Sequence, residues 1–179
     1  MTHIGKARQA AAMQAVEEGL KGSPHWDYWR YHRTRYEHSV RSIVDKFSSQ
    51  DPSKVRILDV GSHFLQMSSV LAELGFSVAG LDVEEFSQDS LVQERSSKIG
   101  IPNHRIVDLE QGEFALEKTD FDLVLFTETL EHLPFHPKKM WLRLFSLLRS
   151  GGRIYLTTPN SLSLRKLPML LAKLFLRVG

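Results

Sequence analysis

The chain has 179 residues, 42% hydrophobic and 25% charged, with a formal net charge of +2, which fits one globular domain with its own core rather than a disordered or nucleic-acid-coating chain. It has no cysteine, which excludes disulfides, zinc–thiolate sites and cysteine nucleophiles and gives no sign of an oxidising compartment. The N-terminal stretch has no long apolar run and carries Glu17 and Glu18, and no run of about 18 apolar residues occurs anywhere, so neither a secretory signal nor a membrane span is expected and the cytoplasm is the default location.

Residues 6–20 are Ala-rich and stop at Gly19 and Gly22, which predicts a helix. In residues 25–47, Trp26, Trp29, Tyr36, Val40, Ile43, Val44 and Phe47 recur at three- and four-residue steps, so a second helix packs one face on something. Its arginines and aromatics invite a nucleic-acid reading. Against that reading, Asp27, Glu37 and Asp45 offset much of the charge of Arg30, Arg33, Arg35, Arg41 and Lys46, and the apolar residues keep helical phase. A helix shaping the mouth of a site suits the pattern better, with Tyr28, Tyr31, His32 and Arg35 as the residues that face inward.

From Val55 the chain alternates short apolar strands (55–60, 77–81, 104–107, 121–126, 153–157) with helices near 65–74, 86–98 and 137–148, closed by Gly75, Gly100 and the Gly151-Gly152 pair. This grammar predicts an α/β fold: a Rossmann-like, doubly wound, mostly parallel sheet of about five strands, with helices on both faces and extra helices at the N-terminus. The expected organisation is a helical cap over 1–50, a ligand-binding core over 51–160 and a basic amphipathic helix over 161–179, all in one domain. Ligands of such sheets sit at the carboxyl ends of the strands.

Acids gather at those ends: Asp59 beside Gly61, then Asp82, Asp108 and Glu128 after Thr127. Asp82 lies 23 residues beyond Asp59, close to the roughly 20-residue spacing at which a carboxylate meets a ribose diol. Gly61 suits a tight turn that lets chain and ligand approach. Each residue also has a plainer reading, as a helix cap or an ordinary turn.

Four segments carry a family resemblance: ILDVGS (57–62), GLDV (80–83), FDLVLFTETLEHLP (121–134) and LLRSGGRIYLTTPN (147–160). In this order they resemble class I S-adenosylmethionine-dependent methyltransferases of the small-molecule type, over about residues 55–160. The resemblance implies S-adenosyl-L-methionine as cofactor. It places Asp59, Gly61, Ser62 and His63 along the methionine part, Asp82 and Val83 at the ribose, and Asp108 and Leu109 at the adenine. Thr127, Glu128, Glu131 and His132 then line the cofactor or acceptor side.

A nicotinamide dinucleotide site is the rival on the same fold. It asks for G-x-G-x-x-G around a pyrophosphate, whereas residues 61–66 read Gly-Ser-His-Phe-Leu-Gln. A cofactor without phosphate is less demanding of that loop, which favours S-adenosylmethionine. The family usually has a second glycine where His63 stands, so His63 either tilts outward, reaches the acceptor, or fills the pocket and marks lost binding.

Methyl transfer needs alignment and exclusion of water more than proton transfer. For a hydroxyl acceptor, Glu128, His132 or His136 is the nearest base by position, with His132 otherwise ordering its loop. Pro134 and Pro137 prevent a regular helix in which His132 and His136 would pair on a metal, and no metal is expected. The acceptor is a small molecule, of sugar, lipid-linked or secondary-metabolite type, reached by Tyr31, His32, Arg35 and His136. A non-catalytic binding or assembly domain of the same fold is the alternative, on the grounds of the missing glycine and missing strands.

Methyltransferases of this class continue past the fifth strand into a 3-2-1-4-5-7-6 sheet. About 20 residues follow Asn160, too few for two more strands, so the fifth strand is expected to be an edge covered by residues 161–179 or by another subunit, unless the chain is truncated. Residues 161–179 carry Leu167, Leu170, Leu171, Leu174 and Val178 on one stripe, and Arg165, Lys166, Lys173 and Arg177 without an acid. That pattern suits a partner or self-association contact, or an anionic membrane surface.

Overall fold

The computed structural model describes residues 4–116 and 120–159. Two N-terminal helices, α1 (Lys6–Leu20) and α2 (Trp26–Lys46), precede β1 (Arg56–Val60), α3 (Gln66–Glu73), β2 (Ser77–Asp82), α4 (Glu84–Ser87) and α5 (Ser90–Ile99). Then follow β3 (Asn103–Asp108), β4 (Glu113–Phe114), β5 (Phe121–Thr127), α6 (Lys138–Leu147) and β6 (Leu148–Thr157). The sheet order is β4-β3-β2-β1-β5-β6. All neighbours are parallel except β4, which runs antiparallel to β3.

The five predicted strands are all present in the predicted order, and β4 makes a sixth. Two residues give too short a pattern for alternation to reveal. The helix predicted over 86–98 is two helices, because Asp89 accepts the Leu91 and Val92 amides at 2.9 and 3.0 Å and so caps a new start. Strand β6 begins five residues earlier than expected. The turn at Gly151 (φ 77) and Gly152 is absorbed as a bulge, anchored where Asp122 accepts the Arg56 amide at 2.8 Å and pairs with Arg149.

Central strands β1 and β5 are almost continuously buried, as a sheet covered on both faces requires. Side chains alternate between the faces. Ile57, Val78, Leu123 and Leu125 join α1, α2 and α3 in one core; Leu58, Val60, Leu81, Val124 and Phe126 join α6 in the other. The predicted apolar phase of α2 appears as burial of Trp29, Tyr36, Val40, Ile43 and Val44. Among the described residues, no helix is long and apolar enough to cross a membrane. Strand β6 lies at the sheet edge with Leu156 44% exposed, while the amphipathic stripe predicted over 161–179 lies outside the described residues.

Trp29 is fully buried where α2 meets the sheet and stacks on Tyr36 at 5.3 Å. Trp29→Ala should lower stability by about 3–5 kcal/mol, the range for removing a buried aromatic. Urea denaturation checks this, and a loss near zero would show that α2 is not part of the core.

Candidate functional site

The chain leaves β1 toward β2 and β3 on one side, then returns to β5 on the other. The crevice at this reversal therefore opens between the carboxyl ends of β1 and β5. Gly61 stands at one lip and Thr127-Glu128-Thr129 at the other. Gly61 has φ 74, and a Cβ there would lie 2.4 Å from Thr129 Oγ1, so both conformation and space demand glycine.

Left-handed backbone recurs at His63 (φ 49) and Leu65 (φ 56). His63 thus keeps the conformation for which the family's glycine is suited, at about 1–2 kcal/mol of backbone cost. Its amide donates to Asp82 Oδ2 at 2.5 Å, while the Val83 amide donates to Asp82 Oδ1 at 2.7 Å. Burial pushes the Asp82 carboxyl up, and these two amides oppose the shift. Each oxygen keeps a further lone pair for a ligand hydroxyl.

Asp59 is more deeply placed. It is 2% exposed and accepts from Ser68 Oγ at 2.6 Å; burial raises its carboxyl to about 6. It sits beneath the loop rather than in its mouth. Ser62 is buried, with Oγ unpartnered among the described residues.

Above Asp82 the His63 ring meets Tyr28 of α2 at 4.5 Å, Phe64 at 3.7 Å and Phe86 of α4 at 4.3 Å. His25 stacks on Phe64 at 3.5 Å, and His32 packs on Tyr28 at 4.2 Å. This wall was only partly legible: Tyr28 and His32 share a helical face, but nothing in the spacing linked them to Phe64 or Phe86. Burial, reinforced by His25, His32 and Arg35, lowers the His63 imidazole to about 4; burial and then Arg35 lower His32 to about 4 as well. The His63 ring does not tilt outward: it is packed among Tyr28, Phe64 and Phe86.

Arg35 reaches across the crevice to Glu128 at 3.2 Å. Glu128 is itself left-handed (φ 53), and its amide donates to the Thr157 carbonyl at 2.9 Å. The pair joins α2 to the end of β5. Thr127 contributes its carbonyl to Thr129 Oγ1 at 3.1 Å.

Other predicted residues fall farther out. Tyr31 is 85% exposed and touches the wall only through His32, at 4.7 Å. His132 closes a 3-10 turn over Leu130–His132 with its side chain 78% exposed, 4.0 Å from Glu131; His136 is exposed too. Asp108 is exposed and accepts the Gln111 amide at 2.9 Å, the plainer turn-capping role, while Leu109 packs on the second core and Val83 is 39% exposed.

A cleft of about 1010 Å³ opens at the opposite ends of the strands, between Phe76, Ile101, Phe114 and Phe121. Its lining includes none of the predicted site residues. The carboxyl-end crevice brings acids, imidazoles and a strained loop together, which makes it the candidate site on chemical grounds.

A family model described as a methyltransferase domain matches residues 28–177. Among curated proteins, a ubiquinone biosynthesis O-methyltransferase of Coxiella burnetii is 29% identical over 104 residues, 58% of this chain and 43% of that protein. The chain thus spans less than half the length of that relative. Among solved structures, a Pyrococcus horikoshii protein superposes with TM-score 0.57 at 21% identity, covering 84% of this chain and 68% of its own. A Haemonchus contortus phosphoethanolamine N-methyltransferase, in complex with phosphomonomethylethanolamine and S-adenosylhomocysteine, gives TM-score 0.55 at 19% identity, covering 76% and 32%. Both structural likenesses concern the fold.

Acidification tests the neutral wall. Unfolded His63 takes up a proton below about 6.5, whereas folded His63 stays neutral until about 4. Stability from this group is therefore present above pH 6.5 and is lost as pH falls toward 4. Denaturation at several pH values should show wild type losing ground to His63→Phe over that window; a constant difference between the two would contradict a buried neutral ring.

Proposed function

The chain belongs to the methyltransferase domain family, and from that premise we propose that it transfers a methyl group from S-adenosyl-L-methionine to an oxygen or nitrogen of a small-molecule acceptor in the cytoplasm. The observation that carries the reading is Asp82: a buried carboxylate fixed by two amides, with lone pairs to spare, beside a turn with one glycine where a pyrophosphate site asks for three.

The residues present fit the cofactor. Asp82 accepts from a ribose diol through the lone pairs its two amides leave free, and Gly61 supplies the positive-φ turn that carries the chain past it. When bound, the cofactor supplies a methyl already activated on a sulfonium, so the protein's tasks are alignment and exclusion of water. The wall of Tyr28, His63, Phe64 and Phe86 excludes water on the α2 side. The imidazoles of His63 and His32 are neutral at pH 7 and Arg35 is paired with Glu128, so these three groups add no unpaired cation to repel a sulfonium.

For an alcohol or phenol acceptor, Glu128 accepts the departing proton on Oε1 while Oε2 keeps its contact with Arg35, and His132 serves from the rim. An amine arriving neutral needs neither. The name of the Coxiella burnetii relative favours an oxygen acceptor. The family model and the curated relatives lend no support to the alternative of a non-catalytic domain. Self-association through the β6 edge is a further element of the proposal, motivated by exposed Leu142, Phe145 and Leu156.

Titration calorimetry with S-adenosylmethionine and S-adenosylhomocysteine tests the reading, and silence with both ligands would sink it. With binding established, Asp82→Ala should weaken affinity by about 1–3 kcal/mol, roughly 5- to 150-fold. Unchanged affinity would remove Asp82 from the ribose.

A further inference from the structure

Strands β1 and β5 are parallel neighbours with Val60 opposite Phe126, so the turns that leave them pass side by side. Thr129, which the segment pattern does not single out, packs between them. A Cβ on Gly61 would meet Thr129 Oγ1 at 2.4 Å and Cγ2 at 3.3 Å, so hydroxyl and methyl both pack on the Gly61 backbone. The side chain is held in that orientation. Its Oγ1 donates to the Thr127 carbonyl at 3.1 Å, and its own carbonyl accepts the His132 amide at 3.1 Å.

The preceding residue shows why this anchoring matters. Glu128 takes a left-handed conformation (φ 53) that turns its carboxylate to Arg35 at 3.2 Å. A non-glycine residue in that conformation needs support from its surroundings. The Thr157 carbonyl supplies it on one side, accepting the Glu128 amide at 2.9 Å. The Thr129–Thr127 bond spans the strained residue on the other.

We infer that Thr129 is a positioning residue for the amino-acid end of the methyl donor: by bracing the β5 turn against Gly61, it sets the distance between the two lips of the crevice. This rests on the donor reading above, in which the Gly61 turn runs along the methionine part. The two side-chain features are separable. Valine keeps the branched shape but cannot donate to the Thr127 carbonyl; serine keeps the donor and drops only the methyl.

The test is calorimetry on the 179-residue chain with S-adenosylhomocysteine and with 5′-methylthioadenosine, which lacks the amino-acid end. Thr129→Val should weaken S-adenosylhomocysteine about five- to tenfold, the scale of one hydrogen bond, and leave methylthioadenosine unchanged. Thr129→Ser should bind both within about twofold of wild type, since one hydrogen bond is retained. If Thr129→Val binds S-adenosylhomocysteine like wild type, or loses both ligands equally together with its melting temperature, the positioning role is overturned and the donor reading stands. A wild-type chain silent to both ligands overturns the donor reading and this inference with it.

Discussion

The Asp82 carboxylate accepting the His63 and Val83 amides is the contact on which the site is organised. It ties the end of β2 to the turn leaving β1, and so fixes the glycine loop to the sheet. Removing a carboxylate from water is costly unless its oxygens are satisfied. Here two backbone donors satisfy part of it, and the remaining lone pairs are left free. Asp59 meets the same cost differently. It is sealed under the loop with Ser68 as its donor, so burial dominates and raises its carboxyl to about 6.

Strain gathers around this contact. Gly61, His63, Leu65 and Glu128 all have positive φ, and all lie at the crevice between β1 and β5. Such conformations persist only where the surroundings over-determine them. The surroundings here are specific: Leu65 is fully buried, His63 is wedged among three rings, and Glu128 is held by Arg35 and Thr157. The energy stored in the loop is offset by the same α2 packing that forms the wall. Tyr36 strengthens that packing by donating to Gln66 Oε1 at 2.9 Å, while Gln66 Nε2 donates to the His25 carbonyl at 3.3 Å. The first turn of α3, the loop and the N-terminal helix are therefore one polar and apolar unit.

Charge follows the same economy. The crevice holds several acids, and its basic groups on the α2 side are either neutral or paired. Burial lowers His25, His32 and His63, and Arg35 spends its charge on Glu128. A wall of this kind tolerates a cationic ligand that a row of imidazolium ions would repel.

The sequence by itself determined the succession of strands and helices, the two-sided burial of β1 and β5, the buried face of α2, and the placing of Gly61, Asp82 and Glu128 at strand ends. These depend on periodicity and on chain order, which neighbouring residues express directly. It left β4 unseen and ran α4 and α5 together, and it did not reveal that Asp108 accepts the Gln111 amide. The meeting of Thr129 with Gly61, of His63 with Tyr28 and Phe86, and of Arg35 with Glu128 was decided by tertiary structure alone. Those contacts join residues 23 to 93 positions apart, and their distances depend on how helices settle on a twisted sheet, a quantity that no local pattern encodes.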